Sequence, residues 1–308
     1  MMKTIRSIGV LLFLMLAAGC GDGEGSAPDS GRIRVVTTTG IIADAVRNIA
    51  DTLVELKALM GPGVDPHLYK ATQGDLSDLS SATIVFYNGL HLEGKMVEAL
   101  EKLGRRGIVA AVADGIDTAQ LRRPAEFQGN YDPHVWFDVR LWSGAVRKIV
   151  DVLKSTDPEN ALIYERNGTA YIARLDSLDG WVRAEIATIP ADRRVLITAH
   201  DAFGYFGRAY GIEVRGLQGI STVSEFGLAD ISALVDLIVA RKVKAVFVES
   251  SVPRRSIEAV VQGTRARGHD VVIGGQLYSD ALGADGTPEG TYIGMVSANV
   301  NTIVRALR

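Results

Sequence analysis

The stretch Tyr131-Asp132-Pro133-His134-Val135-Trp136-Phe137-Asp138 sets a coordinating side chain on a stiffened turn, just ahead of the two long helical patterns at 139–153 and 157–189. A second copy of its core stands upstream in Val64-Asp65-Pro66-His67-Leu68-Tyr69. In both, proline fixes its own φ and pushes the preceding aspartate out of the helical region. Each histidine is thereby held rigidly, which suits a metal ligand or a catalytic base, because a fixed group has less freedom to lose on binding. Asp-Pro also serves simply to start a helix. Two copies, each at the end of an apolar stretch, point instead to one shared site.

Outward from these turns the pattern alternates. Residues 33–39 are β-branched and read as a strand, 41–50 as a helix, and 54–60 as a strand that ends in Gly61-Pro62-Gly63 just before His67. Thr72 with Asp75 resembles a capping box. Strands at 83–87 and 107–113 flank a helix at 93–103, and the loop 117–130 leads to His134. A helix at 139–153 precedes Asp157-Pro158, which starts a second helix with Asp as cap and Pro at the first position. That helix runs to Pro190 and is long enough to bridge two domains.

A second α/β series follows, with strands at 195–198, 214–217, 245–248 and 271–273 and helices at 202–210, 229–242, 254–267 and 290–308. The expected architecture is α/β with two lobes, each a parallel sheet flanked by helices around its own core, joined by one long helix. The expected boundaries are 33–156 for the N-terminal lobe, 157–189 for the linking helix and 190–308 for the C-terminal lobe.

The N-terminus reads as an export signal: Lys3 and Arg6 precede an apolar run too short for an ordinary membrane span. The run ends Leu16-Ala17-Ala18-Gly19-Cys20, and Cys20 is the only cysteine, so neither an intramolecular disulfide nor a cysteine metal cluster is possible. The segment 1–20 resembles a bacterial lipoprotein signal with its cleavage box, Cys20 becoming the acylated first residue and anchoring the chain to a membrane, although Ala17 stands where leucine is more usual. Residues 21–32 read as a flexible tether. The formal net charge of -3 gives no basic footprint, which argues against nucleic acid as a partner.

The second series places His200 directly after the 195–198 strand and Asp280 after the 271–273 strand. In open α/β sheets ligands bind outside the carboxyl ends of strands. Three imidazoles and one carboxylate, His67, His134, His200 and Asp280, make a complete tetrahedral set for Zn²⁺ and a workable nitrogen and oxygen set for Mn²⁺ or Fe²⁺. His91 is expected to cap its nearby helix, and His269 to lie at the surface.

The stretches Gly63 through Tyr69, Tyr87-Asn88-Gly89-Leu90-His91-Leu92-Glu93, Tyr131 through Asp138, Thr198 through Phe206, Val248-Glu249-Ser250-Ser251 and Leu277 through Leu282 together resemble one family. It is the TroA-like substrate-binding proteins (cluster A-I) of ABC transporters for Mn²⁺, Zn²⁺ or Fe²⁺, and the resemblance covers nearly all of the mature chain. It implies metal in an interlobe cleft, one ion per chain, held by His67, His134, His200 and Asp280. It further implies delivery to a membrane permease by a monomer anchored at the periplasmic or extracellular face. Many manganese-selective members carry glutamate where this chain has His200, and many zinc-dedicated members carry a histidine-rich loop that 117–130 is not. Zinc and manganese both stay open, with zinc ahead on affinity. Glu249 and Asp201 are expected to accept the other ring protons of ligating histidines.

Two further readings stand beside the transport reading. A zinc hydrolase would use the three histidines and a water but needs an open coordination position, which Asp280 would fill. A Gly-x-Ser-x-Gly nucleophile elbow is also missing from the sequence. A surface adhesin fits the tether but not the inward-facing ligand set, and survives only as a side role.

Overall fold

In our computed structural model, residues 31–127 and 129–308 are described; Cys20, the export signal and most of the tether lie outside them. β1 (Ile33–Thr39) is followed by α1 (Gly40–Ala50), β2 (Val54–Met60), α2 (Gln73–Ser81), β3 (Ile84–Tyr87), α3 (Val97–Gly104) and β4 (Ile108–Ala111). These strands form one parallel sheet in the order β2-β1-β3-β4. β1 runs through its centre, and its last five residues are all buried, as a strand covered by helices on both faces requires. The Thr72 and Asp75 capping box forms as the sequence predicts and opens α2.

α4 (Val139–Thr156) starts at Asp138, whose carboxylate accepts the N–H groups of Arg140 and Leu141. After a single 3₁₀ turn at Pro158–Asn160 comes α5 (Ala161–Ala187), 27 residues long and so about 40 Å at 1.5 Å per residue. Its buried stripe, Tyr164, Tyr171, Leu175, Leu178, Val182 and Ile186, packs against α1 and α4.

The rest of the chain contributes β5 (Val195–His200), α6 (Gly204–Tyr210), β6 (Glu213–Gln218), α7 (Leu228–Arg241), β7 (Ala245–Glu249), α8 (Arg255–Ala266), β8 (Val272–Leu277) and α9 (Tyr292–Leu307). Parallel ladders join β5 to β6 and β7 to β8, with β5 lying beside β7.

Three differences from the sequence expectation have physical causes. The largest apolar cluster belongs to neither half alone: it joins Val35, Trp142, Tyr171, Phe203, Tyr292 and Leu307, because α5 and α9 pack on one another and α1 packs on both. Residues 32–308 accordingly form one compact unit. Next, α3 begins at Val97 rather than Glu93. Gly89, Leu90 and His91 all take left-handed φ (85°, 53° and 64°), and the Glu93 carboxylate turns back to accept the N–H of Asn88. Last, β8 continues through Gly274-Gly275 to Leu277, past the strand expected at 271–273. Gly275 has φ +154°, and a Cβ there would lie 2.5 Å from Thr302 Cγ2, so the two glycines let α9 lie close on the strand.

Among the described residues no helix is long and apolar enough to cross a membrane.

Candidate metal centre

Four connections at the carboxyl ends of strands meet at one point. The β2 end carries the turn to His67, where Asp65 Oδ1 accepts the His67 N–H at 2.8 Å. The second copy of the turn does more: Asp132 Oδ1 accepts the His134 N–H at 3.0 Å and lies 2.8 Å from His134 Nδ1. His200 is the last residue of β5, with its N–H donating to Glu249 Oε1 at 2.8 Å and its Nδ1 2.5 Å from Glu249 Oε2, at the end of β7. Asp280 follows β8, with Ser251 Oγ donating to its Oδ2 at 2.9 Å. Trp136 Nε1 donates to the Ser279 carbonyl at 2.9 Å and so ties the His134 turn to the Asp280 loop.

The structure brings His67, His134, His200 and Asp280 together, with one donor atom from each lying within 4.8 Å of all the others. His67 Nε2 and His134 Nε2 are 3.3 Å apart, His134 Nε2 is 3.5 Å from Asp280 Oδ1, and His200 Nε2 is 3.4 Å from Asp280 Oδ2. All four side chains are buried. His200 Nε2 and Asp280 Oδ1 find no protein hydrogen-bond partner, although leaving a buried polar atom unsatisfied is costly. Orphaned donors converging on one point are what a cation between them would satisfy, and three neutral nitrogens with one carboxylate fit Zn²⁺ or Mn²⁺.

The electrostatics follow from burial and the surrounding acids. Burial pushes His67 down to about 3, against the pull of Asp280. At His134 burial also disfavours the charge, but the hydrogen bond to Asp132 and the nearby Asp280 carboxylate outweigh it and raise the pKa. Burial is likewise overcome at His200, where Glu249 and Asp280 hold the ring well above its ordinary value. Despite its burial, Asp280 is held well below the usual carboxylate range by His200 and His134. A ligating imidazole must be neutral, so metal binding competes with protonation of His134 and His200.

Of the two carboxylates expected to accept ring protons, Glu249 lies against His200, while Asp201 does not take this place. The acceptor at His134 Nδ1 is Asp132, and Asp201 lines a cavity of about 320 Å³ with Arg122, Arg208 and Arg215. The reason is geometric: side chains leave an extended segment on alternate faces, so the neighbour of an inward-facing His200 points away. His91 is exposed, and His269 Nε2 lies 2.7 Å from the Val243 carbonyl; neither joins the cluster. Sequence reasoning missed Ser251 and the role of Asp132. The latter had a signal, since an aspartate two residues before a histidine can bond backbone two residues on.

An α/β fold with a buried His₃Asp donor set at its strand ends defines a metal-binding protein. The chain belongs to the family described as ZnuA, zinc-uptake complex component A, periplasmic, which matches residues 35–306. It is 51% identical over 300 residues to the manganese-binding lipoprotein MntA of Bacillus subtilis (strain 168), covering 97% of each chain. It is 51% identical over 303 residues to the zinc-binding protein TroA of Treponema pallidum (strain Nichols), covering 98% of this chain and 96% of that one. The solved structure of the periplasmic zinc-binding protein TroA from Treponema pallidum superposes with a TM-score of 0.88 at 52% identity, covering 90% of this chain and 99% of that one. Other relatives are manganese ABC transporter substrate-binding lipoproteins, PsaA of Streptococcus pneumoniae among them at 32% identity.

Proposed function

We propose that this chain captures one divalent metal ion, Zn²⁺ or Mn²⁺, through His67, His134, His200 and Asp280 and delivers it to the membrane permease of an ABC transporter. The observation that carries this reading is the convergence of four buried donors, two of them orphaned, at strand ends. The metal is cargo, and the protein is no enzyme, because Asp280 occupies the position a zinc-bound water would need. In this reading residues 33–156 and 190–308 act as lobes, 157–189 as the linking helix, and a monomer is held by a lipid on Cys20 at the periplasmic or extracellular face. Family membership and the names of the relatives support the transport role.

On metal choice, equal identity to a manganese-binding and a zinc-binding relative leaves the donor chemistry to decide. Three imidazoles favour Zn²⁺, which also stands above Mn²⁺ in the Irving–Williams order. Metal analysis of the purified chain, with calorimetry before and after chelation, tests the proposal. One ion per chain is expected, with a higher melting temperature when loaded, since binding to the native state alone stabilises by roughly 4 kcal/mol at 1,000 times Kd. Absence of metal uptake together with an unchanged transition would refute it.

A further inference from the structure

Arg122 lies ten residues upstream of Asp132, and its side chain is about one-quarter exposed while that of Asp132 is fully buried. Its Nη1 donates to Asp132 Oδ2 at 2.5 Å. The backbone is tied in the same place: Asp132 N–H donates to the Arg122 carbonyl at 2.9 Å, and Arg122 N–H donates to Tyr205 Oη at 3.0 Å. Tyr205 Oη in turn donates to the Asp132 carbonyl at 2.9 Å. The guanidinium lies 5.7 Å from the centre of the Tyr205 ring. It also fills the space a side chain at position 204 would need: a Cβ on Gly204 would stand 1.3 Å from Arg122 Nη1.

We propose that Arg122 is a positioning residue for the His134 donor, and that it works only while α6 lies against it, so that loosening the contact with Gly204 and Tyr205 unfixes one metal ligand. This rests on the metal-binding reading above. Asp132 spends Oδ1 on the His134 N–H and Nδ1 and has Oδ2 left for Arg122. Without Arg122 the carboxylate is a buried charge lacking its cationic partner, which is strongly unfavourable. It relieves that cost by turning away, which removes the acceptor at His134 Nδ1 that holds the ring with Nε2 towards the other three donors. Arginine is needed because its planar guanidinium reaches the carboxylate through Nη1 and at the same time fills the space beside Gly204; lysine keeps the charge but not the plane.

The test uses the full chain loaded with Zn²⁺ for release into excess chelator, and with Co²⁺ for the visible ligand-field spectrum. Arg122→Ala is expected to release Zn²⁺ roughly 10-fold faster, within the range for losing an outer partner of a ligating histidine, and to shift the Co²⁺ bands. Arg122→Lys should restore part of both. Gly204→Ala keeps the arginine but displaces it, and should reproduce the spectral shift. Combined with Asp132→Asn, Arg122→Ala should add nothing further, because the two act through one path. Wild-type release and spectrum in both Arg122→Ala and Gly204→Ala would overturn the proposal, as would full additivity with Asp132→Asn. A wild-type chain taking up neither ion would overturn the metal-binding reading as well.

Discussion

Asp65-Pro66-His67 and Asp132-Pro133-His134 share one backbone device, an aspartate whose Oδ1 accepts the N–H two residues on, yet the two aspartates hold different things. Asp132 also takes its own histidine's Nδ1 and is neutralised by Arg122. Asp65 Oδ2 instead accepts a hydrogen bond at 2.6 Å from the hydroxyl of Thr222, on the connection between β6 and α7. One turn orients a ring and the other ties two connections together. Equal motifs therefore do not mean equal roles, because the role is set by what each carboxylate's second oxygen and the ring's second nitrogen can reach.

Replacing the two aspartates should expose this difference most strongly. Asp132→Asn puts an amide N–H against Arg122, or else against His134, and should weaken metal binding by roughly 10- to 100-fold, as expected for an outer partner of a ligating histidine. Asp65→Asn keeps an oxygen for the His67 N–H and should cost far less. Titration of both variants with Zn²⁺ in competition with a chelator would measure this, and equal losses would erase the distinction between the turns.

What the sequence made legible was the stiff and local part of the structure. The two proline-fixed turns, the capping box at Thr72 and the strand at 54–60 could be read because each depends on neighbours in the chain. The four donors could be placed at strand ends because hydrophobic patterning marks where strands stop, and the resemblance to a family pointed to the same residues. The Arg122 to Asp132 pair was not legible: it sits in an irregular loop, and its meaning depends on Gly204 and Tyr205, far along the chain. Glu93 is a similar case. It reads as the first turn of a helix, but is buried and accepts hydrogen bonds from Asn88 and Thr38, contacts that only the left-handed turn at 89–91 makes possible.

The two histidines should also answer to pH in opposite senses in the metal-free protein. The pKa of His67 is lowered from 6.5 to about 3, so the unfolded chain binds its proton more readily, and its burial costs stability as pH falls below 6.5. The raised pKa of His134 contributes stability that is complete below 6.5 and is lost as pH rises through the folded value. Relative to wild type, His67→Gln should gain on the order of 2 kcal/mol between pH 6.5 and pH 5, at about 1.4 kcal/mol per pH unit. His134→Gln should be at its greatest disadvantage below pH 6.5 and recover as pH rises. Urea unfolding of the chelated proteins across this range checks both slopes, and slopes of one sign would mean that the rings share an environment after all.

The smallest expected effect is at Thr222. Valine matches threonine in shape but lacks the hydroxyl, so Thr222→Val removes only the bond to Asp65 Oδ2. Asp65 stays partly exposed, so water can take the place of the hydroxyl, and the loss should be about 1 kcal/mol or less, the net worth of one hydrogen bond. The His67 ring keeps its backbone anchor, because Asp65 Oδ1 still accepts the His67 N–H. Zn²⁺ release should therefore quicken by no more than about fivefold, the factor that 1 kcal/mol represents, against the larger change for Asp132→Asn. Chelator-chase kinetics on the two variants side by side would decide the ranking. A Thr222→Val chain that loses metal as fast as Asp132→Asn would show that tying the β2 and β6 connections together matters as much as orienting His134.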